Sequence, residues 1–184
     1  MLDRPRLRAF NFQKWIDDNR HHLKPPVSNQ RVFEHADMIV MVVGGPNERT
    51  DFHDDPVEEF FYQLKGDMVL KIAEDGRFCD VPIREGEVFL IPAHLRHSPQ
   101  RPQEGSIGLV VEPPRPAHDP NDGFEWFCFE CGALVHRAEF RIQHIVRDLP
   151  PIYEAFYGDA AVRTCPQCGA IHPGKTPPPD WAKL

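Results

Sequence analysis

The amino-acid sequence predicts a mainly β fold, a sandwich or small barrel, followed by a short C-terminal segment of different character. From about residue 32 to residue 112, short apolar runs alternate with turns every ten residues or so, which is typical of antiparallel sandwiches and barrels. Beyond residue 123 the pattern changes, and four of the five cysteines occur there in two C-x-x-C pairs. The sequence therefore predicts one β domain with a small extension.

The first predicted element is a helix over residues 10–23. Apolar residues recur there at roughly helical spacing, and Asn11 is a candidate N-cap. Lys24, Pro25 and Pro26 follow, and proline cannot continue a helix because it lacks the backbone N–H. We expect the helix to end before this point.

Five apolar runs are the predicted strands of the β domain. Glycine-containing turns separate most of them, for example Lys65-Gly66-Asp67. The runs cover residues 38–43, 59–64, 68–73, 88–92 and 107–112.

A proline-rich stretch, residues 113–123, follows the last of these strands and is predicted to lack regular structure. It divides the chain into a barrel with its N-terminal helix, residues 1–120, and an extension, residues 121–184, packed on the barrel. In the extension we predict a strand around 134–141, a helix after Pro151 with Ile152, Ala155 and Phe156 on one face, and an extended proline-rich tail.

Composition excludes several classes of function. The chain has 28 acidic and 21 basic residues, a formal charge of −7, which disfavours nucleic-acid binding because such binding depends on Lys and Arg. No apolar stretch approaches the roughly 20 residues that span a bilayer. Residues 1–10 contain three arginines and no apolar signal region, so we expect a cytoplasmic protein without a membrane partner.

Two histidine-containing segments carry the first chemical motif. His53 precedes Glu59 and Gly66, and a second segment places Gly86 and Pro92 before His97. Their spacing resembles the two motifs of the cupin superfamily, which implies a jelly-roll-like β-barrel. Two positions depart from the pattern: Asp55 stands where the first motif has a second histidine, and His94 stands where the second motif has a glycine.

The remaining set predicts an iron site. Two histidines and one carboxylate, here His53, Glu59 and His97, occupy one face of an octahedral iron(II) and leave adjacent positions open for substrate and O2. A single histidine is more often a surface or hydrogen-bonded residue, and the prediction rests on the joint spacing. Asp55 either orients a ligand histidine or points elsewhere.

The two cysteine pairs predict a second metal site. Each is a C-x-x-C-G turn, and the four cysteines are Cys128, Cys131, Cys165 and Cys168. Four thiolates in this arrangement suit a closed tetrahedral site for iron or zinc, as in rubredoxin. A redox dithiol or disulfides are the alternatives. A closed site has no open position for substrate, so we predict that it holds the extension in place, and that Cys79 has no role.

An iron cupin followed by a four-cysteine site resembles the bacterial-type 3-hydroxyanthranilate 3,4-dioxygenase family over essentially the whole chain. The resemblance lies in residues 26–29, 42–53, 58–66, 91–102 and 108–112 and in both cysteine turns. It implies that O2 opens the ring of 3-hydroxyanthranilate to give 2-amino-3-carboxymuconate semialdehyde, the precursor of quinolinate. That chemistry belongs to tryptophan degradation by the kynurenine pathway or to NAD biosynthesis. The resemblance also implies a homodimer.

The same resemblance implies roles for further residues. Arg101, supported by Arg49, would bind the substrate carboxylate, and Glu112 would hydrogen-bond and deprotonate the phenol. Without the motif, the two arginines would pass as solvated surface residues and Glu112 as a strand-end charge. Family positions that line the ring pocket correspond to Asn29, Val27, Phe61, Pro99 and Ile145.

Two other classes of function compete with this prediction. Another cupin oxygenase is one, although thiol dioxygenases generally use three histidines and Glu59 argues against them. A cupin sensor or a zinc-ribbon binding module without catalysis is the other. Glutamates offset the arginines around the cysteine turns, which disfavours a nucleic-acid-binding ribbon.

Overall fold

Two antiparallel sheets face one another and enclose the main core. The computed structural model describes residues 8–25, 28–75, 77–119, 121–142, 145–179 and 181. The strands are β1 Asn29–Arg31, β2 Ile39–Gly44, β3 Asp51–Asp54, β4 Glu59–Lys65, β5 Met68–Glu74, β6 Arg77–Ile83, β7 Val88–Ile91, β8 Arg96–Gln100, β9 Ile107–Glu112, β10 Asp122–Phe127 and β11 Leu134–Phe140. One sheet has the order β1-β2-β9-β4-β7 and the other β11-β10-β3-β8-β5-β6.

This architecture confirms the predicted mainly β fold. The five predicted strands correspond to β2, β4, β5, β7 and β9. The core between the sheets combines Phe61 and Val110 from one sheet with Met68, Leu70 and Ile72 from the other. These side chains share a face because residues two apart on a strand point the same way.

Strands β1, β3, β6, β8 and β10 are absent from the prediction. Strand β3 reads Asp-Phe-His-Asp and strand β8 reads Arg-His-Ser-Pro-Gln, so neither has the apolar alternation of a half-buried strand. Both nevertheless lie in the middle of the six-stranded sheet. Their inward side chains are polar because this part of the barrel interior carries the candidate site.

The N-terminal helix is shorter than predicted. Helix α1 spans Phe12–Asp18, the side chain of Asn11 accepts a hydrogen bond from the backbone N–H of Lys14 at 2.8 Å, and a 3-10 turn follows at Arg20–His22. The predicted N-cap is therefore confirmed. Ile16 packs with Leu23, Val42 and Ile107, which fixes α1 to the outside of the five-stranded sheet.

The proline-rich stretch was predicted to lack regular structure throughout, and this is wrong at its end. Asp122 and Gly123 begin β10, which pairs with β3 through Gly123–Asp54 and Phe124–His53. Strand β11 pairs in turn with β10. The division at residue 120 stays a prediction, but strand pairing continues across it.

Helix α2 covers the inward face of β10. It spans Ile145–Tyr157 and contains Pro150 and Pro151, so it begins before the predicted start after Pro151. Phe156 is fully buried against Trp126, with ring centroids 4.3 Å apart. Ala155, which we predict on the same face, is exposed. None of the described helices is long and apolar enough to cross a membrane.

Leucine-to-alanine substitutions at two positions test this assignment of the core. Leu70 is fully buried between the sheets, so Leu70→Ala is expected to lower the free energy of unfolding by about 2–5 kcal/mol, which denaturation at a fixed metal concentration measures. Leu134 on β11 is 42% exposed, and Leu134→Ala is expected to change it by less than about 1 kcal/mol. Equal losses in both variants would contradict the core described here.

Candidate active site

The barrel interior brings the three predicted iron ligands together. His53 on β3 and His97 on β8 are direct cross-strand partners, and Glu59 is the first residue of β4 in the opposite sheet. The Oε1 atom of Glu59 lies 2.8 Å from Nε2 of His97 and 3.3 Å from Nδ1 of His53. His97 and Glu59 are buried, and His53 is partly buried.

Hydrogen bonds at the far side of each ring fix which nitrogen faces the centre. Nδ1 of His97 donates to the carbonyl oxygen of Leu95 at 2.7 Å, so the neutral ring presents a lone pair on Nε2. Nε2 of His53 donates to the carboxylate of Asp122 at 2.9 Å, which leaves a lone pair on Nδ1. The His53 ring also stacks on Phe124 at 4.9 Å.

The donor set fits a divalent cation. Two imidazole lone pairs and one carboxylate oxygen point at one another within 4.8 Å, an arrangement that is repulsive unless a positive charge lies between them. Oε1 of Glu59 is buried and has no hydrogen-bond donor among the described residues. A histidine that binds metal and donates its other N–H to a carboxylate, as His53 does to Asp122, is the usual arrangement around metal ligands.

Four buried carboxylates share this part of the interior: Asp55, Glu59, Glu112 and Asp122. Burial, reinforced by Glu59 and Glu112, raises the pKa of Asp55 to about 8 although His53 and Arg115 lower it. Burial and the charge of Glu59 likewise raise the pKa of Glu112. Without a metal, protonated His97 and His53 would outweigh burial and hold the pKa of Glu59 well below its usual value.

Arg115 is the cation that three of these carboxylates share, and the sequence analysis missed it. Its Nη1 donates to Glu112 at 2.7 Å, and its Nη2 donates to Asp55 at 2.8 Å and to Asp122 at 2.6 Å. The only hint in the sequence is its place three residues after Glu112. Asp122 was missed as well, because it is 69 residues from His53 in the chain.

Asp55 and His94, the two departures from the cupin motifs, lie at different positions relative to the candidate metal ligands. One oxygen of Asp55 accepts the backbone N–H of Val57 and the other accepts from Arg115, at 4.0 Å from Nδ1 of His53. His94 keeps the left-handed backbone of the glycine it replaces, with φ at 64°, and its ring lies between Asp54 and Asp119. Asp55 therefore lies beside the ligand set, and His94 lies outside it.

Arg101 lies inside the barrel on the same face as His97. Its side chain is 1% exposed, its Nη1 lies 2.6 Å from the sulfur of Met68, and its Nε has no acceptor among the described residues. Burial lowers its pKa to about 10. Gly108 makes room for it, because a Cβ there would lie 2.3 Å from Nη2 of Arg101.

Arg49 lies two residues before the start of β3, and its guanidinium is already bonded to other side chains. Its Nε lies 3.1 Å from both carboxylate oxygens of Asp51, and its Nη2 donates to the hydroxyl of Tyr153 on α2 at 2.9 Å. Burial lowers the pKa of Arg49, but the charge of Asp51 and the tyrosines raise it above its usual value overall. Residues 47 and 101 form a β-bridge, so both arginines belong to adjacent segments.

Of the residues predicted to line the ring pocket, Phe61 and Pro99 lie near His97, and Asn29 lies on β1. Phe61 is buried with its ring centroid 6.4 Å from that of His97, and Pro99 on β8 lies between His97 and Arg101 in the chain. Asn29 begins β1 and is partly buried. Val27 lies outside the described residues, as does the side chain of Ile145, whose backbone begins α2.

The four cysteines converge as predicted. The Sγ atoms of Cys128 and Cys168 are 3.6 Å apart, as are those of Cys131 and Cys165. This matches the edge of about 3.8 Å of a tetrahedron with metal–sulfur bonds of about 2.3 Å, and it exceeds a disulfide bond of about 2.05 Å. In each turn the glycine N–H returns to the carbonyl of the first cysteine.

Electrostatics at these sulfurs also favours a cation. Backbone N–H groups, first that of Cys168, lower the pKa of Cys165 to about 6. The backbone N–H of Ala133 lowers the pKa of Cys131, but burial and the neighbouring sulfurs raise it to about 12 overall. Four thiolates at this separation therefore need a bound positive charge.

A β-barrel with two histidines and one glutamate converging in its interior defines a metal-dependent enzyme of the cupin superfamily. The family model described as 3-hydroxyanthranilic acid dioxygenase matches residues 5–157. The chain belongs to this family and is a dioxygenase, as the sequence predicts.

Curated relatives named 3-hydroxyanthranilate 3,4-dioxygenase support this assignment. The relative from Ruegeria pomeroyi is 71% identical over 97% of this chain and 99% of its own length. The relative from Brucella anthropi is 66% identical over 97% of this chain and 99% of its own length. Among solved structures, a cupin-2 domain protein from Shewanella frigidimarina shares 18% identity at a TM-score of 0.44, covering 58% of this chain and 95% of its own.

Substitution of Arg115 tests whether it holds the buried carboxylates. Arg115→Gln leaves three carboxylates without their shared cation and is expected to lower the free energy of unfolding by about 3–5 kcal/mol. Arg115→Lys should recover only part of the lost free energy of unfolding, because an ammonium cannot match the planar, forked geometry of the guanidinium. Urea denaturation of metal-saturated protein measures both.

A surface arginine provides the matched control. The Arg84–Glu87 ion pair is exposed, so Arg84→Gln should change the free energy of unfolding by less than about 1 kcal/mol. If Arg115→Gln were as stable as Arg84→Gln, the proposed charge arrangement would be wrong.

Proposed function

We propose that this dioxygenase opens the ring of 3-hydroxyanthranilate between its third and fourth carbons with O2. The product is 2-amino-3-carboxymuconate semialdehyde, which cyclises to quinolinate. The observation that carries the proposal is Arg101, a buried guanidinium without a carboxylate partner among the described residues, on the same interior face as the candidate ligand His97. A buried guanidinium of this kind suits an aromatic ligand that carries a carboxylate.

The ligand set His53, Glu59 and His97 would hold iron(II). Two imidazoles and a carboxylate on one face suit a non-haem oxygenase iron and leave neighbouring positions for substrate and O2. Bound iron supplies the electronic route by which triplet O2 reacts with a closed-shell ring. The other residues of the interior bind and orient the substrate.

Arg101 would bind the substrate carboxylate from inside the barrel, and Arg49 would support it from the start of β3. Inward residues of β8 repeat every two positions, about 6.7 Å apart, so Pro99 separates the guanidinium of Arg101 from the metal set. The planar ring would lie in this intermediate layer against Phe61. Asn29, Val27 and Ile145 are proposed to complete its walls.

Glu112 would take the phenol proton. It lies within reach of the ligand set, since it shares a carboxylate cluster with Asp55 and Glu59. Arg115 holds its Oε2, which leaves Oε1 to accept the proton. Burial raises the pKa of Glu112 toward the range of an effective general base. Arg101 and Arg49 together form the proposed carboxylate clamp. Because the general base, the ring and the clamp would be held in fixed positions, the reaction loses less freedom than it would in water.

The four-cysteine site would hold iron or zinc, with a structural role. The two turns are more than 30 residues apart in the chain, and a shared metal ion would join them. A homodimer is also proposed: Val88 and Leu90 on the edge strand β7 are 58% and 53% exposed and offer apolar surface to a second copy. A cytoplasmic location stays a prediction.

Oxygen uptake tests the reaction directly. Protein loaded anaerobically with Fe(II) and mixed with 3-hydroxyanthranilate and air is expected to consume one O2 per substrate while a muconate-semialdehyde absorbance grows. His53→Ala removes a proposed ligand and should abolish both, whereas Cys79→Ala, at an exposed position, should retain both. Metal analysis should find two ions per chain.

Bound iron without turnover in this assay would remove the substrate assignment and leave the dioxygenase class unaffected. Iron that binds equally well to His53→Ala would instead overturn the proposed ligand set.

A methyl group at Gly108 tests the proposed carboxylate clamp without removing it. The added Cβ would meet the guanidinium of Arg101 at 2.3 Å, so the guanidinium must shift. Gly108→Ala is therefore expected to raise KM for 3-hydroxyanthranilate about ten- to hundredfold. Steady-state kinetics measure this, and iron content must equal that of the wild type. An unchanged KM would contradict the placement of the clamp.

A further inference from the structure

The C-terminal tail connects the four-cysteine site with the start of β3. We propose that Trp181 is a positioning residue for substrate binding, which holds the main chain of Arg49 in place from the four-cysteine site. The inference rests on the proposed function, in which Arg49 helps to bind the substrate carboxylate. It gives the four-cysteine site a role in substrate affinity in addition to holding the extension.

The indole of Trp181 joins the two regions. Its Nε1 donates to the main-chain carbonyl oxygen of Arg49 at 3.1 Å. The same ring meets the ring of Phe129 edge-on, with centroids 4.7 Å apart. Phe129 lies between Cys128 and Cys131 in the first cysteine turn. One side chain thus contacts a metal-binding turn and the proposed carboxylate clamp.

A second contact joins the tail to Thr50, the residue after Arg49. The buried hydroxyl of Thr50 donates to the carbonyl oxygen of Gly174 at 2.7 Å. The N–H of Gly174 donates to Nδ1 of His172, whose ring also packs on Phe129 at 4.9 Å. The tail therefore holds Arg49 and Thr50 at two successive residues.

The barrel holds the same peptide from the other side. The buried amide of Gln100 accepts the N–H of Arg49 and donates to its carbonyl oxygen, both at 3.0 Å. The carbonyl oxygen of Arg49 thus accepts two hydrogen bonds, one from the barrel and one from the tail. Gln100 directly precedes Arg101, so this arrangement also sets the position of one proposed clamp residue relative to the other.

The contacts that hold Arg49 should affect the affinity for substrate more than they affect the rate of the chemical step. A guanidinium binds a carboxylate best when its backbone is fixed before binding, since less freedom is then lost. The candidate metal ligands on β3, β4 and β8 point into the barrel. Trp181 contacts Arg49, Phe129 and Lys71 and the rings of Phe52 and Phe78, and the side chains of Phe52 and Lys71 lie on the outer side of the sheet. Loss of the indole N–H should therefore raise KM and leave kcat nearly unchanged.

The variant Trp181→Phe removes the N–H and keeps an aromatic ring at the position. Its Fe(II)-loaded form is expected to bind 3-hydroxyanthranilate about three- to tenfold more weakly in anaerobic titrations, the effect of one lost hydrogen bond. It should bind 2-aminophenol, which lacks the carboxylate, with unchanged affinity. Thr50→Val, which removes the second contact, should weaken binding in the same selective way.

Two controls accompany the titration. Trp15→Phe, on helix α1 against the opposite sheet, should change neither affinity. Metal analysis should find both ions in Trp181→Phe, so that a lost metal does not explain weaker binding. Weakening of both ligands to the same degree, or unchanged binding of 3-hydroxyanthranilate, would overturn the proposal.

Arg49→Ala separates this inference from the proposed function. If Arg49→Ala weakens binding of 3-hydroxyanthranilate and Trp181→Phe does not, the role of Trp181 is refuted and the clamp stands. If Arg49→Ala leaves the affinity unchanged, Arg49 is not part of the clamp, and the inference fails with that assignment.

Discussion

Charge compensation inside the barrel is the constraint on which the rest of the structure depends. Four buried carboxylates face a largely apolar interior, where an uncompensated charge costs several kcal/mol. Arg115 compensates one of these charges through Asp55, Glu112 and Asp122, and a divalent cation at Glu59 would compensate two more. The stability of the fold therefore depends on the same charged groups that form the site.

The sequence predicts the parts of the structure whose cause is local. Apolar runs identify β2, β4, β5, β7 and β9, and the resemblance of two segments to the cupin motifs identifies His53, Glu59 and His97 as the candidate metal set. Strands β3 and β8 escape prediction because the polar side chains that make the site remove the apolar alternation. Arg115 and Asp122 escape because their importance arises from contacts across the fold, which no spacing along the chain records.

The two candidate metal sites join different parts of the chain. The interior set depends on strands of both sheets, whereas the cysteine site joins the turn after β10 to the chain beyond α2. Aromatic rings fill the space between: Trp126 stacks on Phe156, and Phe129 contacts both His172 and Trp181. Side chains also join the extension to the barrel, since Phe52 and His53 on β3 contact the rings of Trp181 and Phe124, in addition to the pairing of β10 with β3.

The pairing of β10 with β3 also has a consequence for synthesis on the ribosome, where a chain emerges from its N-terminus. A nascent chain that has reached residue 120 already contains all three candidate iron ligands. It still lacks Asp122, which orients His53, and β10, which covers the edge of β3. Strand β3 then has a free edge that can pair with another nascent chain. Completion of the candidate metal site and coverage of the β3 edge therefore both require the residues from 121 onward.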